Sequence, residues 1–203
     1  MTQITPELVA EKQALRQAMR EKLRAQTALQ MAESSRRIVA RLHVMANDIQ
    51  IGRGAIALFL AQSREPNLDE FARELLEKGE RVFAPRTGEG ENFFAEIAPD
   101  WSNIAVNERG WREPRDCYRE YSQSESRAAP KLQTVMLPAL AFDYSGQRLG
   151  QGGGWYDRAL EALPAGVLRV GVAFDFQIVE NVPHEAHDQR VGLIVTERRI
   201  IRI

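Results

Sequence analysis

The sequence predicts an α/β protein with a mostly parallel central sheet, preceded by a helical N-terminal segment. Three observations carry this. Residues 6 to about 43 contain no glycine and repeat leucine and alanine at helical spacing. A short apolar run at 55–60 is followed by an amphipathic helix pattern and a second apolar run, the order expected of parallel strands joined by a crossover. Four glycines within 150–154 separate another apolar run from a helical pattern.

Taken in order, Thr5 and Pro6 form a helix start, with a hydroxyl N-cap and proline at the first helical position. Leu15, Met19 and Leu23 share one face. After a break near 25–28, Ile38, Leu42 and Met45 form another, so 6–47 is expected as helices packed on the body of a single domain spanning 1–203. The run at 55–60 reads as a buried parallel strand. Leu68, Phe71, Leu75 and Leu76 line a helix over 68–78, with Gly79 as its C-cap, and 81–85 is the next strand. Residues 86–131 read as an irregular connection, charged and serine-rich from 119 to 127. Strands are expected at 134–142, 167–174 and 191–196, a turn at 143–146 and a helix at 154–163. No internal repeat is present at a fixed period.

Lys and Arg number 27 against 28 Asp and Glu, a formal net charge of −1, which excludes a dedicated nucleic-acid binder. The charge is unevenly placed: eight basic and three acidic residues lie between Glu11 and Arg41. A solvated helix face accounts for such a run, and so does a local site for a small anion. One cysteine, Cys117, allows no intrachain disulfide and has no nucleophile signature around it. The apolar run at 55–61 is far shorter than the ~20 residues of a membrane span. The N-terminus lacks the basic and apolar parts of a signal peptide. A cytoplasmic protein acting on neither membrane nor nucleic acid is therefore expected, and a monomer is taken as the default state.

The most informative segment is Arg148-Leu149-Gly150-Gln151-Gly152-Gly153-Gly154-Trp155-Tyr156-Asp157-Arg158. Glycines let successive backbone N–H groups point into one concavity, and a following helix start adds positive potential, so phosphate binding is the natural chemistry. A Walker A loop would need Lys-Ser/Thr after its last glycine, where this chain has Trp155. A dinucleotide fingerprint from Gly150 would need glycine at 155, and fails too. A turn that merely permits close strand–helix packing remains open on the glycines alone. Arg148 adds a phosphate partner, and Asp157 a carboxylate for a metal ion, although an acid in a first helical turn is favourable anyway.

Together with residues 137–143 and Gly146, this segment resembles the signature of the 5-formyltetrahydrofolate cyclo-ligases, also called 5,10-methenyltetrahydrofolate synthetases. Lys12 and Arg16 match that family's N-terminal Lys-x-x-x-Arg element, residues 60–65 the segment after the first strand, and Glu113-Pro114 its long connection. Residues 170–174, Gln177 and 182–188 match its C-terminal block. The resemblance implies a three-layer domain on the scaffold of phosphosugar isomerases and CoA transferases (NagB/RpiA-like). It also implies an ATP- and Mg²⁺-dependent ring closure of 5-formyltetrahydrofolate. In that reaction the formyl oxygen attacks the γ-phosphate with release of ADP, N10 attacks the activated carbon, and phosphate leaves.

By the same resemblance, Lys12 and Arg16 bind the ATP phosphates from one helical face. Arg148 and the stretch Leu149, Gly150, Gln151, Gly152, Gly153, Gly154, Trp155 and Tyr156 complete the nucleotide site, with Lys12 and Arg148 the catalytic cations. Asp157 and Asp188 hold Mg²⁺, and Leu60 and Glu65 face the folate, which Gln151, Gly152, Gly153, Gly154 and Trp155 also touch. Arg20 extends the basic face. Each residue has an ordinary alternative: surface charge for Lys12 and Arg16, a helix-start acid for Glu65, a turn aspartate for Asp188. His184 and His187 lack the further ligands of a zinc site, and His43 is expected to be structural. Three positions depart from the family pattern: Trp155, commonly tyrosine; Gln151, commonly Arg, Lys or Tyr; and Ala139 after Pro138, commonly glycine. A silent folate- or nucleotide-binding protein, or an isomerase on a related scaffold, would be the competing functions.

Overall fold

The computed structural model describes residues 5–49, 54–62, 64–87, 92–115, 120–121, 132–185 and 187–203. Helices α1 (Pro6–Ala25) and α2 (Ala28–Ile49) come first, then β1 (Ala55–Ala57), α3 (Asp69–Glu77) and β2 (Val82–Thr87). Short strands follow: β3 (Asn92–Glu96), β4 (Ile104–Val106), β5 (Arg112–Pro114) and β6 (Glu120–Tyr121). Next are β7 (Leu132–Leu137), β8 (Ala141–Asp143), β9 (Arg148–Leu149), α4 (Trp155–Glu161) and β10 (Leu168–Val172). A 3-10 turn (Asp175–Gln177), β11 (Ile178–Val179), β12 (Leu193–Val195) and β13 (Ile200–Arg202) complete the chain.

The main sheet runs β13-β12-β10-β7-β1-β2-β3-β6. Its middle, from β12 to β2, is parallel, while β13, β3 and β6 add antiparallel edges. Alternation along the strands sends side chains to opposite faces. Ile56, Val82 and Ala84 pack with Ile38, Leu42, Phe71 and Leu75 from α2 and α3. Ala55, Ala57 and Phe83 pack with Ala159 and Leu160 of α4 on the other face. Met19 and Leu23 of α1 join the first cluster, which ties the N-terminal helices to the sheet. The Thr5 hydroxyl caps α1 as expected, accepting from the Leu8 backbone N–H at 3.3 Å. His43 lies edge-on to Phe71, 5.1 Å between ring centroids, and its Nε2 is 3.2 Å from Glu74. No described helix is long and apolar enough to cross a membrane.

Among its described residues, the expected irregular connection at 86–131 contains four strands, two of which extend the main sheet. They are two to five residues long, too short for any periodicity to mark them. The run at 134–142 divides at Pro138: β7 ends at Leu137, and the chain enters a second sheet, β11-β8-β9. Proline has no N–H with which to continue the ladder. The run at 55–60 keeps strand geometry only to Ala57, and α4 stops at Glu161. Strand β13, hydrogen-bonded to β12, had no expected counterpart. Cys117 lies outside the described residues.

Candidate active site

Strands β1 and β7 are parallel neighbours, yet the chain leaves β1 toward β2 on one side and returns through β7 on the other. The loops after such a pair diverge and leave a crevice at the carboxyl ends of the strands. A cavity of about 550 Å³ occupies that position. Phe59 and Leu60 follow β1, Pro138 and Ala139 follow β7, and Pro85 and Thr87 end β2; all line it. The glycine loop, the first turns of α1, and Glu185, His187 and Asp188 close further sides.

The glycine loop is built around guanidinium groups. Gly152 has φ +109° and Gly154, which caps α4, has φ +63°, conformations that side-chain-bearing residues rarely adopt. A Cβ on Gly150 would lie 3.0 Å from Arg148 Nη1, and one on Gly154 only 2.9 Å from Arg158 Nη1. Arg16 lies across Gly152 and donates from Nε to the Gly150 carbonyl at 3.1 Å. Arg20 donates to the Gln151 side-chain oxygen at 3.2 Å. Arg148 is buried, donates from Nη2 to Asp157 at 2.6 Å, and lies over the Tyr156 ring at 5.6 Å. Its buried Nε has no hydrogen-bond partner among the described residues.

Lys12 reaches from α1 into the opposite wall. Its Nζ donates to Glu185 Oε1 and to Asp188 Oδ2, both at 2.7 Å. Asp188 Oδ2 also accepts the Glu185 backbone N–H at 2.8 Å. Burial opposes the Lys12 charge, but the hydrogen bonds and charges of Asp188 and Glu185 outweigh it and hold the ammonium above its ordinary value. Burial likewise opposes the Asp188 charge, and hydrogen bonds from Lys12 and the Glu185 N–H, with the charges of Lys12 and His187, hold it below the usual carboxylate range. Among the described residues no three His, Cys, Asp or Glu side chains form a group able to hold a metal.

Glu65 is not in a helix start, since α3 begins at Asp69. It closes a turn in which Glu65 Oε2 accepts the Gln62 N–H at 3.0 Å and the Glu65 N–H donates to the Gln62 carbonyl at 3.2 Å. Burial pushes its carboxyl up, against the lowering effect of the Gln62 N–H. Burial also pushes the Tyr156 phenol up; the Glu65 charge adds to this and Arg148 opposes it. Trp155 packs edge-on against Tyr156 and Phe94, at 4.8 and 5.6 Å between centroids.

Lys12, Arg16, Leu60, Glu65, Asp157, Asp188 and every residue from Arg148 to Tyr156 line this one cavity. Arg20 stands beside it through Gln151. Sequence reasoning gave no role to Glu185, which completes the Lys12 pair, nor to Trp111, Arg112 and Glu113 on another wall. Glu113 Oε2 accepts from both the Thr87 N–H and hydroxyl at 2.9 Å, which anchors β5 to the end of β2. The Glu-Pro match had drawn attention to Glu113 without suggesting a place for it.

A cleft at the carboxyl edge of a parallel sheet, with arginines laid along a glycine loop and half-buried acids opposite, defines an α/β protein built to hold a small charged ligand. The sequence profile of the 5-formyltetrahydrofolate cyclo-ligase family matches residues 8–197. The chain belongs to that family and is an enzyme of it. It is 31% identical to the 5-formyltetrahydrofolate cyclo-ligase of Escherichia coli K12 over 149 residues, 71% of this chain and 79% of that one. With the Mycolicibacterium smegmatis enzyme of the same name it shares 26% over 156 residues, 74% and 77% of the two chains. The NMR structure of Aquifex aeolicus 5,10-methenyltetrahydrofolate synthetase superposes with TM-score 0.78 at 26% identity, covering 94% of this chain and 92% of that one. A 5,10-methenyltetrahydrofolate synthetase from Mycoplasma pneumoniae shares the fold at TM-score 0.70 and 20% identity, covering 92% and 99%.

Proposed function

We propose that this enzyme converts 5-formyltetrahydrofolate to 5,10-methenyltetrahydrofolate with ATP and Mg²⁺, working as a single-domain monomer. The observation that carries this is the convergence, in one cavity, of a cation-lined glycine loop, two aspartates and a half-buried acid on a more apolar wall. The chemistry requires those parts together. An amide oxygen leaves poorly as hydroxide, and ATP supplies the phosphoryl group that turns it into phosphate. The protein's task is to align two reactants and to meet phosphoryl charge, with no covalent nucleophile.

Arg148, Arg16 and Lys12 would receive the phosphates, while the loop from Leu149 to Tyr156 shapes the nucleotide side. Asp157 and Asp188 offer hard oxygen donors of the type Mg²⁺ takes, one or two carboxylates with water and phosphate completing the shell. Bound there, Mg²⁺ would neutralise phosphate oxygens. Each aspartate is already turned toward a cation, Asp157 toward Arg148 and Asp188 toward Lys12. Glu65 would accept from the amino and ring N–H groups of the pterin, and Leu60 and Trp155 would cover its faces.

The test is coupling. With all three ligands, ADP and methenyl product should form in equal amounts, and ADP release should stop when 5-formyltetrahydrofolate is withheld. ADP release that ignores the folate, or folate turnover without ATP, would contradict this reading.

A further inference from the structure

We infer that Glu185 is a positioning residue for the nucleotide: with Asp188 it fixes the Lys12 ammonium so that the third N–H is left for a phosphate. The inference rests on the ATP-dependent reaction proposed above. An ammonium carries three donors on a flexible stem. Two are committed here, one to Glu185 and one to Asp188, each at 2.7 Å. Once two N–H directions are set, tetrahedral geometry sets the third. Lys12, Glu185 and Asp188 all line the cavity, which puts the donor left uncommitted among the described residues within reach of a ligand held there.

The two carboxylates are themselves held as a unit. The Glu185 N–H donates to Asp188 Oδ2 at 2.8 Å, and the Asp188 N–H to the Glu185 carbonyl at 3.1 Å. The side chains of Lys12, Glu185 and Asp188 are 11, 15 and 14% exposed, so this is no surface ion pair averaged away by water. The partners are not equivalent. Asp188 has a second use as a proposed metal ligand, and when its carboxylate serves a cation, Glu185 remains the anchor of Lys12. A neutral residue at 185 would then leave the ammonium poorly directed at the moment it is needed.

Glu185→Gln keeps the shape and removes the charge. Its KM for ATP should rise about tenfold, the effect of weakening one charge-assisted hydrogen bond, while the KM for 5-formyltetrahydrofolate stays within about twofold. Glu185→Asp, which restores charge on a shorter arm, should fall between the two. Calorimetric titration with a non-hydrolysable ATP analogue, on variants with wild-type circular dichroism, checks the same loss without turnover. An unchanged or lowered KM for ATP would overturn the inference, because Glu185 would then be irrelevant to Lys12 or a competitor for it. A parallel rise in both KM values would overturn it as well, by exposing a merely structural role. Wild-type protein that turns over without ATP would instead refute the reaction on which the inference rests.

Discussion

At the scale of single residues, the glycine loop owes its composition to the arginines that lie along it as much as to its own backbone. Gly152→Ala would force an alanine into φ +109°, where space is available but the backbone is not, at a cost of about 1–3 kcal/mol. A denaturant titration measures this, and ATP use should fall with it because Arg16 rests on that turn. Glu65 gives a prediction of opposite sign. Burial raises its carboxyl above the ordinary 4.5, so just above that value the native state keeps a proton that the unfolded chain has lost. Stability therefore falls as pH rises through that window. Glu65→Gln should melt higher than wild type at neutral pH, with the gap closing as pH falls toward 4.5. The same variant should raise the KM for 5-formyltetrahydrofolate about tenfold if Glu65 receives the pterin. Residue types were legible in the sequence where a motif concentrates them, as from Arg148 to Asp157. Glu185 was not, because its significance lies in a contact with Lys12, 173 positions away.

Among the elements, α1 does two jobs along one face. Lys12 and Arg16, in its N-terminal half, reach the cavity, while Met19 and Leu23, further along the same stripe, are buried in the core. Arg64 donates to the Leu23 carbonyl at 2.7 Å, beside the 3.3 Å bond which that carbonyl accepts from the Gln26 N–H at the helix C-terminus. Leu23→Ala should cost about 2–5 kcal/mol in urea unfolding and disturb both substrates alike. Lys12→Ala and Arg16→Ala should weaken ATP use more than folate binding, since each deletes a cation and little core. Equal loss of both substrates would show that the nucleotide lies elsewhere. Both helices, the cap at Thr5 and the break before Ala28 were legible, because caps and periodicity act within a few residues. Strands β3 to β6 were not, since such short segments draw their stability from neighbours distant in the chain.

For the whole molecule, the sheet order places the cavity: the crevice between β1 and β7 exists because the chain changes direction across the sheet there. The parallel centre was legible from strand, helix and strand in succession. The antiparallel edges and the small β11-β8-β9 sheet were not, because they depend on where the chain turns back. Packing between the two sheets is close. A Cβ on Gly171 of β10 would meet the Phe142 ring of β8 at 2.6 Å, so Gly171→Ala should destabilise by about 1–3 kcal/mol in thermal or urea unfolding. The most direct test of the whole account follows methenyl-product absorbance while the folded protein is incubated with 5-formyltetrahydrofolate, ATP and Mg²⁺, beside Asp157→Ala under the same conditions. Product should accumulate with wild type and fall at least tenfold with the variant, the loss expected when one charged partner of phosphate and metal is removed. No product from well-folded wild type, or equal rates from the two proteins, would contradict it.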